Sequence, residues 1–222
     1  MSTKSIGILG LGIRTTLFYI EELNRHYYDL KECYTCPLKM INTNFEIINN
    51  LLPTTSPELE ELVDGYLSEL VKLEIATILV PNITLHETVD NIVNDKTITH
   101  PVALTIAKLK SQKIKNIVLI GSMYTMEGLY LKNKLNEEGI EVLHPTPNEC
   151  EFIDEVRRNI YNQTEDDESL KMYNEIIAKY SLKSHILIAC TELSIGWDIS
   201  NGDKVFDMAR IQIENAVNTT FA

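Results

Sequence analysis

The feature that most constrains this chain is a repeated alternation of short apolar runs with longer stretches of helical periodicity. Residues 5–9, 38–42 and 76–80 read as strands. Helical spacing covers 15–28, where Leu17, Ile20 and Leu23 fall on one face, and 56–73, which opens on Ser56-Pro57-Glu58. The run 76–80 is β-branched and stops at Pro81, as a strand buried on both faces does. A second series follows: a helix over 102–112, a strand over 116–120 and a helix over 127–138 closed by Gly139. A strand over 141–143, helices over 148–161 and 168–180, a strand over 185–189 and a last helix over 204–217 complete it. This order predicts an α/β protein, a mainly parallel sheet with helices on both faces. Two similar halves meet near residues 98–101.

The chain has 222 residues, enough to bury a core as one domain or two. Its formal net charge is −12, which disfavours nucleic acid and anionic membrane surfaces as partners. No apolar run approaches the roughly 20 residues that a membrane span needs. The start, Met1-Ser2-Thr3-Lys4 leading into Ile6-Gly7-Ile8, is too short for a signal peptide, so a cytoplasmic location and reduced cysteines are expected. Cys33 and Cys36 form a C-x-x-C pair, but no second ligand pair follows at zinc spacing. They read as incidental cysteines, and no metal is expected.

Ligands of parallel sheets gather at the C-terminal strand ends, and four segments fall there. The first is Gly10-Leu11-Gly12-Ile13-Arg14, either a tight turn or a loop whose N–H groups and Arg14 face an anion; it lacks the third glycine of a dinucleotide loop. In the second, Pro81-Asn82-Ile83-Thr84-Leu85-His86, an extended chain would point Asn82, Thr84 and His86 the same way, into a polar pocket wall. The third, Gly121-Ser122-Met123-Tyr124-Thr125-Met126, offers hydroxyls and N–H groups to a carboxylate, or simply caps a helix. The fourth, Ala189-Cys190-Thr191-Glu192-Leu193, puts a thiol beside polar neighbours directly after a buried strand.

Together these segments resemble the aspartate/glutamate racemase superfamily, in order and over nearly the whole chain. Gly7-Ile8-Leu9-Gly10-Leu11 and the Phe18-Tyr19 pair are similar to the family's opening. Pro81-Asn82-Ile83-Thr84-Leu85-His86 resembles its P-C-N-T-x-H. Gly121-Ser122-Met123-Tyr124-Thr125-Met126 with Tyr130 resembles G-T-x-x-T-M followed by Tyr. Ala189-Cys190-Thr191-Glu192-Leu193 resembles G-C-T-E-L, and Asp207 matches a later aspartate.

The resemblance implies two pseudo-symmetric, doubly wound (Rossmann-like) domains with the active site in the cleft between them, residues 1–98 plus 208–222 and residues 99–207. It implies proton transfer at the α-carbon of a small acidic amino acid, without pyridoxal phosphate, metal or other cofactor, in a homodimer. Cys190 is then the catalytic thiol, Glu192 its tuning partner, and Asn82 stands where the family has its first catalytic cysteine. Gly10, Arg14, Thr84, His86, Ser122, Thr125 and Thr191 are the implied substrate-binding residues, with His86 a candidate second base. An amide takes no proton at neutral pH, so the alignment excludes a two-thiol mechanism. The shortened glycine loop carries Arg14 instead of the family's G-P. Three functions follow: an isomerase using Cys190 and another group or water on the opposite face; a single-thiol decarboxylase or other isomerase; or a non-catalytic small-acid binding protein.

Overall fold

Strand β1 (Ile6–Gly10) is buried along its whole length, which is why its sequence shows no polar alternation. In the computed structural model it is the middle strand of a parallel sheet ordered β2-β1-β3, with β2 (Leu38–Asn42) on one side and β3 (Thr77–Leu79) on the other. The structure describes residues 4–32, 35–92 and 97–222, apart from the side chain of Asn201. It divides into two compact units, Met1–His100 with Gln212–Ala222, and Pro101–Ile211.

In the first unit the sheet is joined by α1 (Ile13–Lys31), α2 (Phe45–Leu51), α3 (Pro57–Val71) and α4 (His86–Asn91). Helix α3 follows the rules read from its sequence. The Ser56 hydroxyl accepts from Leu59 N, Pro57 opens the first turn, and Leu59, Val63, Leu67 and Leu70 form one buried stripe. Each of those side chains contributes roughly 1.5–3 kcal/mol of transfer free energy, and they pack with Leu9, Ile48, Ile78 and Val80. Helix α1 departs from expectation. Leu17 is 57% exposed, and the inward face is Thr15, Phe18, Tyr19, Glu22 and Leu23. Tyr19 explains the choice of face: its buried hydroxyl donates to Gln212 Oε1 at 2.5 Å, and Gln212 Nε2 donates to the Thr99 carbonyl at 2.6 Å. Cys33 lies outside the described residues. Cys36 is buried, and burial pushes its thiol up to about 11.

The second unit begins with α5 (Pro101–Ser111). Its parallel sheet runs β5-β4-β6-β7, formed by β4 (Asn116–Ile120), β5 (Glu141–Leu143), β6 (His185–Ile188) and β7 (Val205–Asp207). Around it lie α6 (Met123–Glu127), α7 (Leu129–Glu137), α8 (Pro147–Asn162), α9 (Asp167–Ser181) and α10 (Thr191–Gly196); α11 (Met208–Phe221) ends the chain. The helix expected over 127–138 is observed over Leu129–Glu137, and Gly128, where a Cβ would sit 2.5 Å from the Tyr124 carbonyl, separates it from a short preceding helix, Met123–Glu127. The final helix expected from 204 starts later, because residues 205–207 pair with β6. The core unites Val118, Ile120, Ile153, Val156, Ile160, Tyr173, Ile186 and Ile188 with Cys190.

Candidate functional site

Cys190 follows β6 by two residues. Its backbone is still extended (φ −157°, ψ 126°) and serves as N-cap of α10, so the side chain projects where the sheet ends and the helix begins. Only 7% of the residue is exposed. The thiol donates to Glu192 Oε2 at 3.1 Å. Burial is the main influence that raises its pKa well above the ordinary thiol value, and the adjacent Glu192 carboxylate raises it further. The Leu193 N–H and the Arg157 guanidinium pull the other way. The resting sulfur is therefore a protonated thiol hydrogen-bonded to Glu192.

Arg157, on α8, has no motif in the sequence to announce it. Its Nε donates to Asp154 Oδ1 at 2.7 Å, and Asp154 also accepts the Met123 N–H at 3.1 Å. Asp154 thus fixes both the guanidinium and the start of α6. The one available signal was the Asp154/Arg157 spacing of three on a helix.

Thr191 begins α10. Its Oγ1 is buried and has no hydrogen-bond partner among the described residues. Ser122 caps α6: its Oγ accepts from Thr125 N at 3.2 Å and lies 2.9 Å from Thr125 Oγ1. Both hydroxyls are half-buried. The structure thus brings Cys190 and Glu192 into contact, and pairs Ser122 with Thr125.

Behind Cys190 stands a buried ionic anchor. Asp207, at the end of β7, accepts from Ser194 Oγ at 2.8 Å and Ala209 N at 3.0 Å, and pairs with Arg210. Arg210 Nη1 in turn donates to the Ser194 carbonyl at 3.0 Å, and Ser194 N donates to the Cys190 carbonyl. Asp207 therefore locks the first turn of α10, and with it the thiol's backbone.

In the first unit, the Gly10 carbonyl accepts both Thr43 N and Thr43 Oγ1 at 2.9 Å, and a Cβ on Gly10 would lie 2.1 Å from Asn42 Oδ1. The strand end is thus closed tightly. Arg14, on the first turn of α1, is half-buried. The segment after β3 is not extended. Asn82 Oδ1 accepts Leu85 N at 3.0 Å, and successive turns lead into α4. Asn82, Thr84 and His86 consequently do not alternate on one face. Asn82 and Thr84 are half-buried, while His86 has no exposed surface. Its Nδ1 lies 2.9 Å from the Asn82 carbonyl, and Nε2 lies 3.5 Å from Gln212 Nε2. Burial, and then the neighbouring His100, lower its pKa to about 3, so the ring is neutral and Nδ1–H donates.

Among the described residues, no group of three or more His, Cys, Asp or Glu side chains is placed to hold a metal ion, and no helix is long and apolar enough to cross a membrane. No family model matches the sequence, and no curated protein matches it.

Solved structures do match. One is a Yersinia pestis protein described as a candidate Asp/Glu racemase, at 21% identity and a TM-score of 0.81, covering 99% of this chain and 100% of that one. The chain has the fold of the Asp/Glu racemases. The aspartate racemase of Picrophilus torridus aligns at 18% identity with a TM-score of 0.80, over 98% of this chain and 94% of its own. The glutamate racemase of Aquifex pyrophilus aligns at 15% identity and 0.58, over 97% and 83%.

Proposed function

We propose that this chain is a racemase-like isomerase that moves the α-proton of a small acidic amino acid through Cys190, without pyridoxal phosphate or metal. The observation that carries the reading is the 3.1 Å contact between the Cys190 thiol and Glu192 at the C-terminal end of a parallel strand. Glu192 takes the thiol proton. The thiolate then removes the α-proton, so the Cα–H bond breaks, an S–H bond forms, and the electron pair passes into the adjoining carboxylate. Arg157 offsets the charge that develops near the sulfur. Ser122, Thr125 and Thr191 supply hydroxyls to the substrate carboxylate. His86, neutral and enclosed, acts by fixing the Asn82 turn and not as a base. The opposite face is served by another group or by water.

The test is α-proton exchange of aspartate and glutamate in heavy water. Exchange is expected in the native chain and is lost in Cys190→Ser with the fold intact. Exchange that proceeds undiminished in Cys190→Ser refutes the assignment. Asn82→Cys should raise racemisation relative to exchange. Exchange with retained configuration assigns the chain to one-face chemistry, and binding without exchange to a small-acid carrier.

A further inference from the structure

The other end of the second sheet carries a pocket that the proposed chemistry does not use. It opens where β4 and β6 begin and has a volume of about 360 Å³. Lys113, Lys115, Lys183 and Lys204 line it together with Asn116 and His185. His185 and Cys190 are separated by five steps of chain, roughly 16 Å at a strand rise of about 3.3 Å.

Two observations distinguish this pocket from ordinary surface. The chain as a whole carries a net charge of −12, yet four lysines converge here. Among the described residues none of the four is ion-paired to a carboxylate, whereas Lys110 pairs with Glu138, Lys171 with Glu175 and Lys179 with Glu149. Lys204 Nζ instead donates to the Ser181 carbonyl at 3.0 Å. Asn116 is oriented as well: its Oδ1 accepts the Ser184 hydroxyl at 2.8 Å, so the opposite edge of the amide presents N–H donors.

We propose that this pocket is a binding site for a small, multiply charged anion of the phosphate-ester or polyphosphate class. Four ammonium groups, with amide N–H donors beside them, match the oxygens of one or two phosphoryl groups. The concave shape and limited volume fit a small molecule. The chain's net charge of −12 disfavours a long polyanion.

The probe is inorganic pyrophosphate, titrated calorimetrically against the full chain in dilute buffer. Saturable binding of one anion per chain is expected, and it should weaken as salt is raised from 50 to 300 mM. An exposed charge pair is worth up to about fivefold in affinity, so the double variant Lys113→Gln/Lys204→Gln should bind tenfold or more weakly. The control Lys72→Gln, in the first unit, should bind as the native chain does. Circular dichroism checks that the variants keep their fold. Absence of saturable binding at 10 mM pyrophosphate overturns the proposal, as does equal affinity in native and double-variant chains. A single-stranded oligonucleotide that outcompetes pyrophosphate at the same lysines also overturns it, by assigning the patch to a nucleic-acid backbone.

Discussion

The Cys190 thiol donates to Glu192 Oε2 across 3.1 Å, and the two residues are only two apart in sequence. On one regular helix such neighbours diverge. They meet because Cys190 keeps strand geometry while Glu192 already lies in the first turn of α10. Thiol, carboxylate and the Arg157 guanidinium consequently form one electrostatic unit in which the two side groups act with opposite sign.

That opposition is measurable. Glu192 raises the thiol pKa and Arg157 lowers it, both acting on a thiol already raised by burial. The native exchange rate should therefore still be rising with pH on the alkaline side of neutrality. Glu192→Gln removes the nearby negative charge, so its profile should move to lower pH. Loss of the proton acceptor should at the same time lower the limiting rate by about 100-fold. Arg157→Gln should move the profile to higher pH. Profiles displaced in the same direction would show that the two groups do not act through the thiol.

The Asp207–Arg210 pair supports this arrangement from below. Asp207→Asn leaves the Arg210 guanidinium without its buried counter-ion, an event that typically costs about 3 kcal/mol. It also weakens the hold on Ser194. Expected outcomes are a melting temperature lower by several degrees and a fall in exchange rate even where the chain remains folded. A variant with native stability would remove Asp207 from its anchoring role.

How legible was this in the sequence? Strands β1, β4 and β6 announce themselves because burial on both faces demands uninterrupted apolar residues. Strand β7 does not: Val205-Phe206-Asp207 is too short for a pattern and runs directly into a helix. The face of α1 is not legible because Leu17 is apolar and exposed, while Tyr19 is buried through Gln212, far along the chain, and Glu22 is buried beside Arg25 and His26 of the same helix. At the candidate site the thiol and its carboxylate are neighbours in sequence and were both legible. Arg157 acts on them from α8, and only its spacing of three from Asp154 marks it. The Asn82 segment misled in a different way. Alternating polar residues suggest a strand, but the Asn82 side chain satisfies Leu85 N and converts the segment into a turn.

His86 gives the first unit an acid-sensitive element. Its folded pKa is depressed to about 3 from 6.5, so the unfolded chain binds a proton that the folded chain refuses. Stability from this residue is complete above about pH 6.5 and falls with decreasing pH, by up to about 1.4 kcal/mol per unit down to pH 3. His86→Gln, which keeps an N–H for the Asn82 carbonyl, should flatten the dependence of melting temperature on pH between 6 and 4. An unchanged slope would show that other groups govern acid unfolding.

Thr191 provides the cleanest separation of stability from function. Its hydroxyl is buried with no hydrogen-bond partner among the described residues. An unsatisfied buried hydroxyl costs about 1–3 kcal/mol, so Thr191→Val, which keeps the shape, should leave the melting temperature unchanged or raise it. If the hydroxyl is there for a substrate carboxylate, the same change removes a hydrogen bond to a charged group, worth about 1.5–3 kcal/mol. KM should then rise roughly 10- to 100-fold, with the pH profile of Cys190 unmoved. Loss of stability in Thr191→Val would show that the hydroxyl has a structural partner. Unchanged KM with raised stability would show that no ligand meets it.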